Sequence, residues 1–394
     1  MWYDTYKRRE GGKMKKKQKS LGQLVMMLFM LAVGGGCGYF GASVVGSAVN
    51  LNGEEAARKW VLLLTGVLLI FYVSIFVQIV VHEAGHLVFG LLTGYRFCSF
   101  RIGSFMLVRK EGKLRCRRFS LAGTGGQCLM VPPEEQEGKI PYVLYNMGGI
   151  LFNFLLAVLS VLAYVLTRRA HPFLGAAFLV NAIIGAALGL MNGIPMGNGS
   201  VDNDGSNALH LGENPQALHS FWLQMKINAM ITEEKRLKDM PKEWFAIPGD
   251  EALKNSMCAS AAVLAFSRKM DEMDFKGAEA LGRELLEKNT GMAGVHRYLV
   301  ISELIFCELV GENRREVIEG YYDKSFRKFA RAMKSYPSVI RMEYAKALLY
   351  DRDESLAEKC KAKFEKMAKS YPHACEIEGE RELLAYAENR RISA

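Results

Sequence analysis

The sequence predicts an α-helical multi-pass membrane core of about four transmembrane helices with a small β-hairpin, followed by an all-α soluble carboxy-terminal domain. Three observations lead to this class. Residues 21–49, 60–93, 141–167 and 172–193 form apolar runs, the second free of charge as far as Val81. Each exceeds the roughly 20 apolar residues that a helix needs to cross a bilayer. Beyond residue 205 the composition turns polar and charge-rich. Between the second and third runs, residues 97–140 carry alternating apolar positions instead of a helical period.

The elements follow in order. Residues 1–20 hold eight Lys or Arg. An apolar run begins directly afterwards, so this stretch reads as a basic cytoplasmic tail that sets orientation, and no nucleic-acid partner is expected. The first run is too long for a signal-peptide core of about 7–15 residues and reads as a retained span. Its Gly34, Gly35 and Gly36 favour close helix packing.

Lys and Arg in the short loops fix the expected topology. Eight of them lie between Arg96 and Arg118 against one acid, Glu111, which places loop 97–140 in the cytoplasm with both termini. Arg168 and Arg169, on the outer side, run against this pattern. Phe100, Ile102, Phe105, Leu107 and Val108, then Leu114, Cys116 and Phe119, suggest a hairpin turning at Glu111-Gly112, followed by a Gly-rich turn at 123–126.

Residues 206–250 read as a linker and 251–394 as a cytoplasmic domain of short helices. Lys334-Ser-Tyr-Pro337 recurs as Lys369-Ser-Tyr-Pro372, 35 positions later. That period suggests a tetratricopeptide-like repeat, with an irregular helical bundle as the alternative. The eight cysteines form no Cys-x-x-Cys pair. They read as reduced structural thiols, not as a disulfide or zinc framework.

The chemistry centres on His82-Glu83-Ala84-Gly85-His86 at the end of the second run. Positions i and i+4 share a helix face, so both imidazoles can reach one zinc ion, and Glu83 beside them suits a general base. Two His and a Glu at membrane depth are costly and mark a functional site. A catalytic zinc needs a third protein ligand and an open position. The polar segment after the fourth run supplies two acids, Asp202 and Asp204, at the same expected membrane face.

With these pieces in place, residues 60–206 resemble the site-2 protease family of intramembrane zinc metalloproteases. The resemblance rests on His82–His86 and the following Leu91-Leu-Thr-Gly-Tyr-Arg-Phe97. It continues in Gly148-Gly149-x-x-x-Asn153, Asn192-x-x-Pro195 and Asp204-Gly205, in that order. It implies Zn2+ as cofactor, Asp204 as the third ligand, and Asn153 near the active site; the bland role for Asn153 is an interhelical hydrogen bond. It also implies hydrolysis of membrane-protein substrates in or near their transmembrane segments.

Two departures stand out. Asp204 lies nine positions after Pro195, farther than is common in the family, and no PDZ or CBS module follows. The helical tail takes that place and is a candidate docking site for a regulatory protein. The hairpin offers either a scaffold element or an edge for an extended substrate strand. The rival reading is a non-catalytic membrane adaptor whose zinc site is structural or degenerate. An intact Glu83 argues against it, because a structural site needs no base. A transporter would show polar positions repeated in two similar halves, and the sequence has none.

Overall fold

The computed structural model describes residues 27–46, 55–110, 112–118, 125–195 and 202–393. The basic stretch 1–20, Glu111 of the hairpin turn, the start of the glycine-rich turn and residues 196–201 lie outside the described residues. The chain divides into two compact units, one built from residues 1–89, 143–198 and 202–208, the other from 90–142, 199–201 and 209–394.

The first unit is a helix bundle. Helices α1 (Met27–Gly46), α2 (Ala56–Leu92), α3 (Tyr142–Thr167) and α4 (Pro172–Gly193) are each long and apolar enough to cross a membrane. Their outward positions are large and apolar; Leu69, Tyr72, Val158 and Leu166 are more than half exposed. A soluble domain would not present so much contiguous apolar surface.

Inward positions are small or polar. Along α3 the buried residues Asn146, Gly149, Ile150, Asn153, Ala157 and Ser160 recur at three and four positions, one face of a helix. Such small residues permit close contact between helices that no hydrophobic force drives together in lipid. Helix α1 packs through Cys37 against Val180 and Ile184 of α4, and through Val45 against Leu63 and Val67 of α2. Four residues join α3 to α4, and Pro172 opens α4 where no backbone donor is needed.

The second unit opens with a four-stranded antiparallel sheet: β1 (Arg96–Ile102), β2 (Phe105–Lys110), β3 (Lys113–Arg118) and β4 (Gly126–Val131), in the order β3-β2-β1-β4. The expected single hairpin is thus half of the sheet. The run Phe100–Val108, which alternates like one strand, is broken at Gly103, whose φ of +57° makes a turn there. The turn between β2 and β3 carries Gly112 at φ +75°. Strand β4 begins at Gly126, the last residue of the expected Gly-rich turn, and was not itself expected.

The segment expected as a linker contains α5 (Asp204–His210) and α6 (Pro215–Thr232). Asn214 caps α6 by accepting from the N–H groups of Gln216 and Ala217. Ala217, Leu218, Phe221 and Leu223 of α6 are buried, and the helix packs on β4 and on α7 (Ser256–Asp271). The Trp222 indole donates to the Pro133 carbonyl at 2.9 Å. Just past α6, Glu234 accepts from Lys110 of β2 at 2.9 Å and from the Cys375 backbone at 2.7 Å. The loop after α2 and the helical tail therefore share one body.

Seven further helices complete the tail: α8 (Phe275–Glu287), α9 (Gly294–Val310), α10 (Arg315–Tyr321), α11 (Lys324–Ala332), α12 (Pro337–Ala345), α13 (Glu354–Ala368) and α14 (Ala374–Ser393). Phe266, Phe306 and Phe326 fill one core, and Phe364 a second under α13. The two Lys-Ser-Tyr-Pro copies occupy like positions, joining α11 to α12 and α13 to α14. The region is all-helical, as expected; its helix pairing does not establish a tetratricopeptide repeat. All eight cysteines are free thiols.

Candidate metal centre

His82 and His86 lie on one face of α2, one turn apart, with ring centroids 4.8 Å apart. His82 falls 22 residues after Trp60, or about 33 Å along the helix at 1.5 Å per residue. That is near the far boundary of a hydrocarbon layer about 30 Å thick, where a polar site can meet water.

Asp204, at the start of α5, completes the group. Its Oδ2 lies 3.1 Å from His82 Nε2 and 3.4 Å from His86 Nε2, and the two imidazole nitrogens are 3.2 Å apart. These three form a metal-type donor set, the one such group among the described residues. Tetrahedral zinc with ligand bonds of about 2.0–2.1 Å holds its ligand atoms about 3.3 Å apart. The observed triangle has that size, so the residues fit the ion that the donor types imply. Asp202, the other acid of this segment, is not in the group.

Each histidine is held through its second nitrogen. His82 Nδ1 lies 2.7 Å from Asn153 Oδ1, and His86 Nδ1 lies 2.7 Å from the Tyr145 carbonyl. An N–H donated there leaves both Nε2 lone pairs directed at the metal position. Asn153 is fully buried and in turn donates to Gln78, at 3.0 Å to the carbonyl and 2.8 Å to Oε1. The Gln78 amide donates to the Asn181 carbonyl at 3.1 Å. One polar line thus runs from α4 through α2 and α3 to His82. It was missed in the sequence, although a lone Gln in an apolar span is itself a signal.

Close backbone contact sets this geometry. A Cβ on Gly85 would collide with the Gly148 carbonyl, one on Gly148 with Gly85, and one on Gly149 with the His82 ring at 2.5 Å. The glycines of the histidine motif and of α3 are therefore two halves of one seam, across which helices α2 and α3 touch backbone to backbone.

Asp204 is delivered by its neighbour. The Asn203 amide donates to the Met191 and Ile194 carbonyls at the end of α4, at 2.9 and 2.7 Å, and its Oδ1 accepts from Ser206 N–H. Gly205 lies so close to Gly193 that a Cβ would strike its carbonyl. Burial alone raises the Asp204 carboxyl, but when the two Nε2 atoms carry protons in place of a metal, the hydrogen bonds and charge of His82 and His86 outweigh it and hold the group below the usual carboxylate range. Asp204 is therefore ionised, the state in which a carboxylate binds metal. Glu83 is buried, 8% exposed, on the turn that bears both histidines.

Comparison with protein-family models matches residues 70–369 to Peptidase family M50. The same comparison against curated proteins and against solved structures returns no match. The matched stretch covers most of the chain and includes His82, His86, Asn153 and Asp204; the chain belongs to Peptidase family M50, the site-2 protease family of membrane metalloproteases.

Proposed function

We propose that the protein is a zinc metalloendopeptidase that cuts membrane-protein substrates in or near their transmembrane segments. The observation that carries this reading is the 3.1–3.4 Å triangle of His82, His86 and Asp204 donor atoms beside a buried glutamate. Zinc, when bound, acidifies a coordinated water and polarises the scissile carbonyl.

The remaining work falls to the chain. Glu83 takes the proton from the attacking water and returns it to the leaving amine. Asn153 is a positioning residue, because its reach ends at His82 Nδ1 and it holds that ring in one tautomer. The apolar α2–α4 bundle limits access of bulk water to the site. A helical substrate has its peptide groups satisfied internally, so the segment to be cut must unwind first. The outer edge of β3, at the end of the sheet order, suits an extended segment by strand addition.

In this reading the amino terminus, loop 97–140 and the tail face the cytoplasm, and the tail recruits or regulates through a partner protein. External labelling of Cys116, which is exposed, should require a permeabilised membrane; labelling in intact cells contradicts the orientation. Membrane proteomes from cells with the native protein and with Glu83→Gln test the activity. Substrates should accumulate uncut with the variant while its zinc content stays at about one per chain. Unchanged proteomes, with zinc retained in both, favour the adaptor.

A further inference from the structure

One side of the helical tail, around α11, is basic and unpaired. Residues 324–334 hold five Lys or Arg and no acid. Lys324, Arg327 and Arg331 stand at i, i+3 and i+7 of α11 and so share one side of that helix. With Lys334, just past the helix end, and Lys363 of α13, they line a cavity of about 480 Å³. All five side chains are exposed to solvent. The one acid on the wall, Glu343, accepts from the Tyr322 hydroxyl at 2.9 and 3.1 Å. Five cations against one acid give the lining a net positive charge.

Other cations of the tail are neutralised. Arg314 holds Glu308, Lys346 holds Asp351, Lys361 holds Glu388 and Arg381 holds Glu365, at 2.7–2.8 Å. None of the five cavity cations has such a partner among the described residues. Like charges around one hollow repel one another, and an anionic ligand removes that cost.

The layout narrows the class of anion. From Lys324 to Arg331 the row rises about 10 Å along the helix at 1.5 Å per residue, and Lys334 lies beyond it. A single carboxylate or phosphate reaches only part of such a row. An extended peptide advances about 3.3 Å per residue, so acids along it meet successive cations, and each arginine can take a carboxylate through two N–H groups. A membrane surface fits less well. The site is a hollow, and the large apolar side chains that the tail exposes, Ile247, Val295 and Leu356 among them, do not line it.

We propose that this cavity docks an extended acidic segment of a partner protein, its carboxylates on Arg327 and Arg331 and on the flanking lysines, by the Arg-cluster mode of acidic-motif recognition. The proposal deepens the reading of the tail as a recruiting domain and does not depend on the zinc chemistry.

The test uses the full-length protein in detergent and fluorescein-labelled hexaglutamate as probe, followed by fluorescence anisotropy. Saturable binding of about one peptide per chain is expected, falling as salt rises, with none for labelled hexaglutamine. Arg327→Glu and Arg331→Glu should each weaken the peptide by about tenfold or more, the scale of one lost charge-assisted hydrogen bond, while their melting profiles stay those of a folded protein. Lys328→Glu is the control: Lys328 is exposed on the same helix but outside the cavity, so the variant changes net charge equally and should bind like the native chain. Glu83→Gln should also bind like the native chain, which separates this site from the protease reading. Absence of saturable binding at millimolar peptide, or an equal loss in Lys328→Glu, overturns the proposal. So does displacement of the peptide by an equal concentration of inorganic tripolyphosphate, which would mark a phosphate site, or by phosphatidylserine added to the micelle, which would assign the face to the membrane.

Discussion

The membrane bundle and the helical tail bury polar groups by different means. In the bundle the buried polar side chains outside the metal centre are neutral and pass hydrogen bonds between helices: Gln78 to the Asn181 carbonyl, Asn153 to Gln78, Asn181 to Ser160. The tail buries neutral hydroxyls too, but it also buries ions, held in pairs: Arg341 with Glu303 and Glu380, Arg236 with Asp271 and Glu382, Glu308 with Arg314. The difference follows from the surrounding medium. Next to lipid an ion has no water to fall back on, so charge is confined to the candidate metal centre. A soluble helical body can bury a guanidinium when carboxylates surround it, at the cost of strong dependence on every partner.

The largest expected effect lies at the metal centre, where charge in the bundle is used. His86→Ala should reduce zinc from about one per chain to background, and Glu83→Gln should retain zinc while slowing peptide cleavage by about 10²–10⁴-fold. Elemental analysis and a cleavage assay read both. Zinc undiminished in His86→Ala would remove the basis of the site.

Next comes the ion pairing of the tail. Arg341→Ala strands Glu303 and Glu380 and should destabilise the tail by about 3–5 kcal/mol, read by thermal unfolding. A loss below about 1 kcal/mol would show that the pairs are solvated and the contrast with the bundle is weaker than the geometry indicates.

The neutral line in the bundle should matter less for stability than for metal. Asn153→Ala removes the acceptor at His82 Nδ1 and should weaken zinc about 10–100-fold. Gln78→Ala should act in the same direction, through Asn153, by a smaller factor. Chelator competition measures both. If Gln78→Ala matches Asn153→Ala, the Gln78 amide carries the positioning; if Asn153→Ala changes nothing, the Asn153 contact is packing alone.

The smallest effect is a pH dependence confined to the tail. Glu376 holds its proton up to about 7 in the folded chain against an ordinary value of 4.5. The folded state therefore binds the extra proton between these values. The associated stability is complete below about 4.5 and is lost as pH rises through about 7. Relative to Glu376→Gln, the native protein should lose a few degrees of melting temperature between pH 5 and pH 8. Parallel curves for the two proteins would place the Glu376 carboxyl in ordinary solvent.

What the sequence disclosed follows the same division. The four spans and His82, Glu83 and His86 are legible because apolar runs and an i, i+4 ligand pair are local patterns. Asn153 was legible as a site neighbour only through its family resemblance. Its contact with His82 Nδ1 depends on the approach of α3, which no local pattern encodes. The Tyr145 carbonyl, as backbone, carries no residue signal at all. In the tail, α6 reads as a linker although Asn214-Pro215 is a helix start, because its apolar face is interrupted by charged and polar positions. Arg341 was invisible as a core residue, since Arg is normally exposed and its partners come from α9 and α14.

Asn203 has a consequence for how this chain tolerates change in length. Helix α4 ends at Gly193, and Asp204 follows eleven positions later. Because Asn203 is pinned to the Met191 and Ile194 carbonyls, the position of Asp204 is set by that clasp and not by counting residues from the span. Doubling a flexible connection costs only about 0.6 kcal/mol of closure entropy. A change in the number of residues between Pro195 and Asp202 should therefore leave Asp204 beside His82 and His86. Nine positions separate Pro195 from Asp204, and the Asn203 amide fastens the far end of that interval to the end of α4.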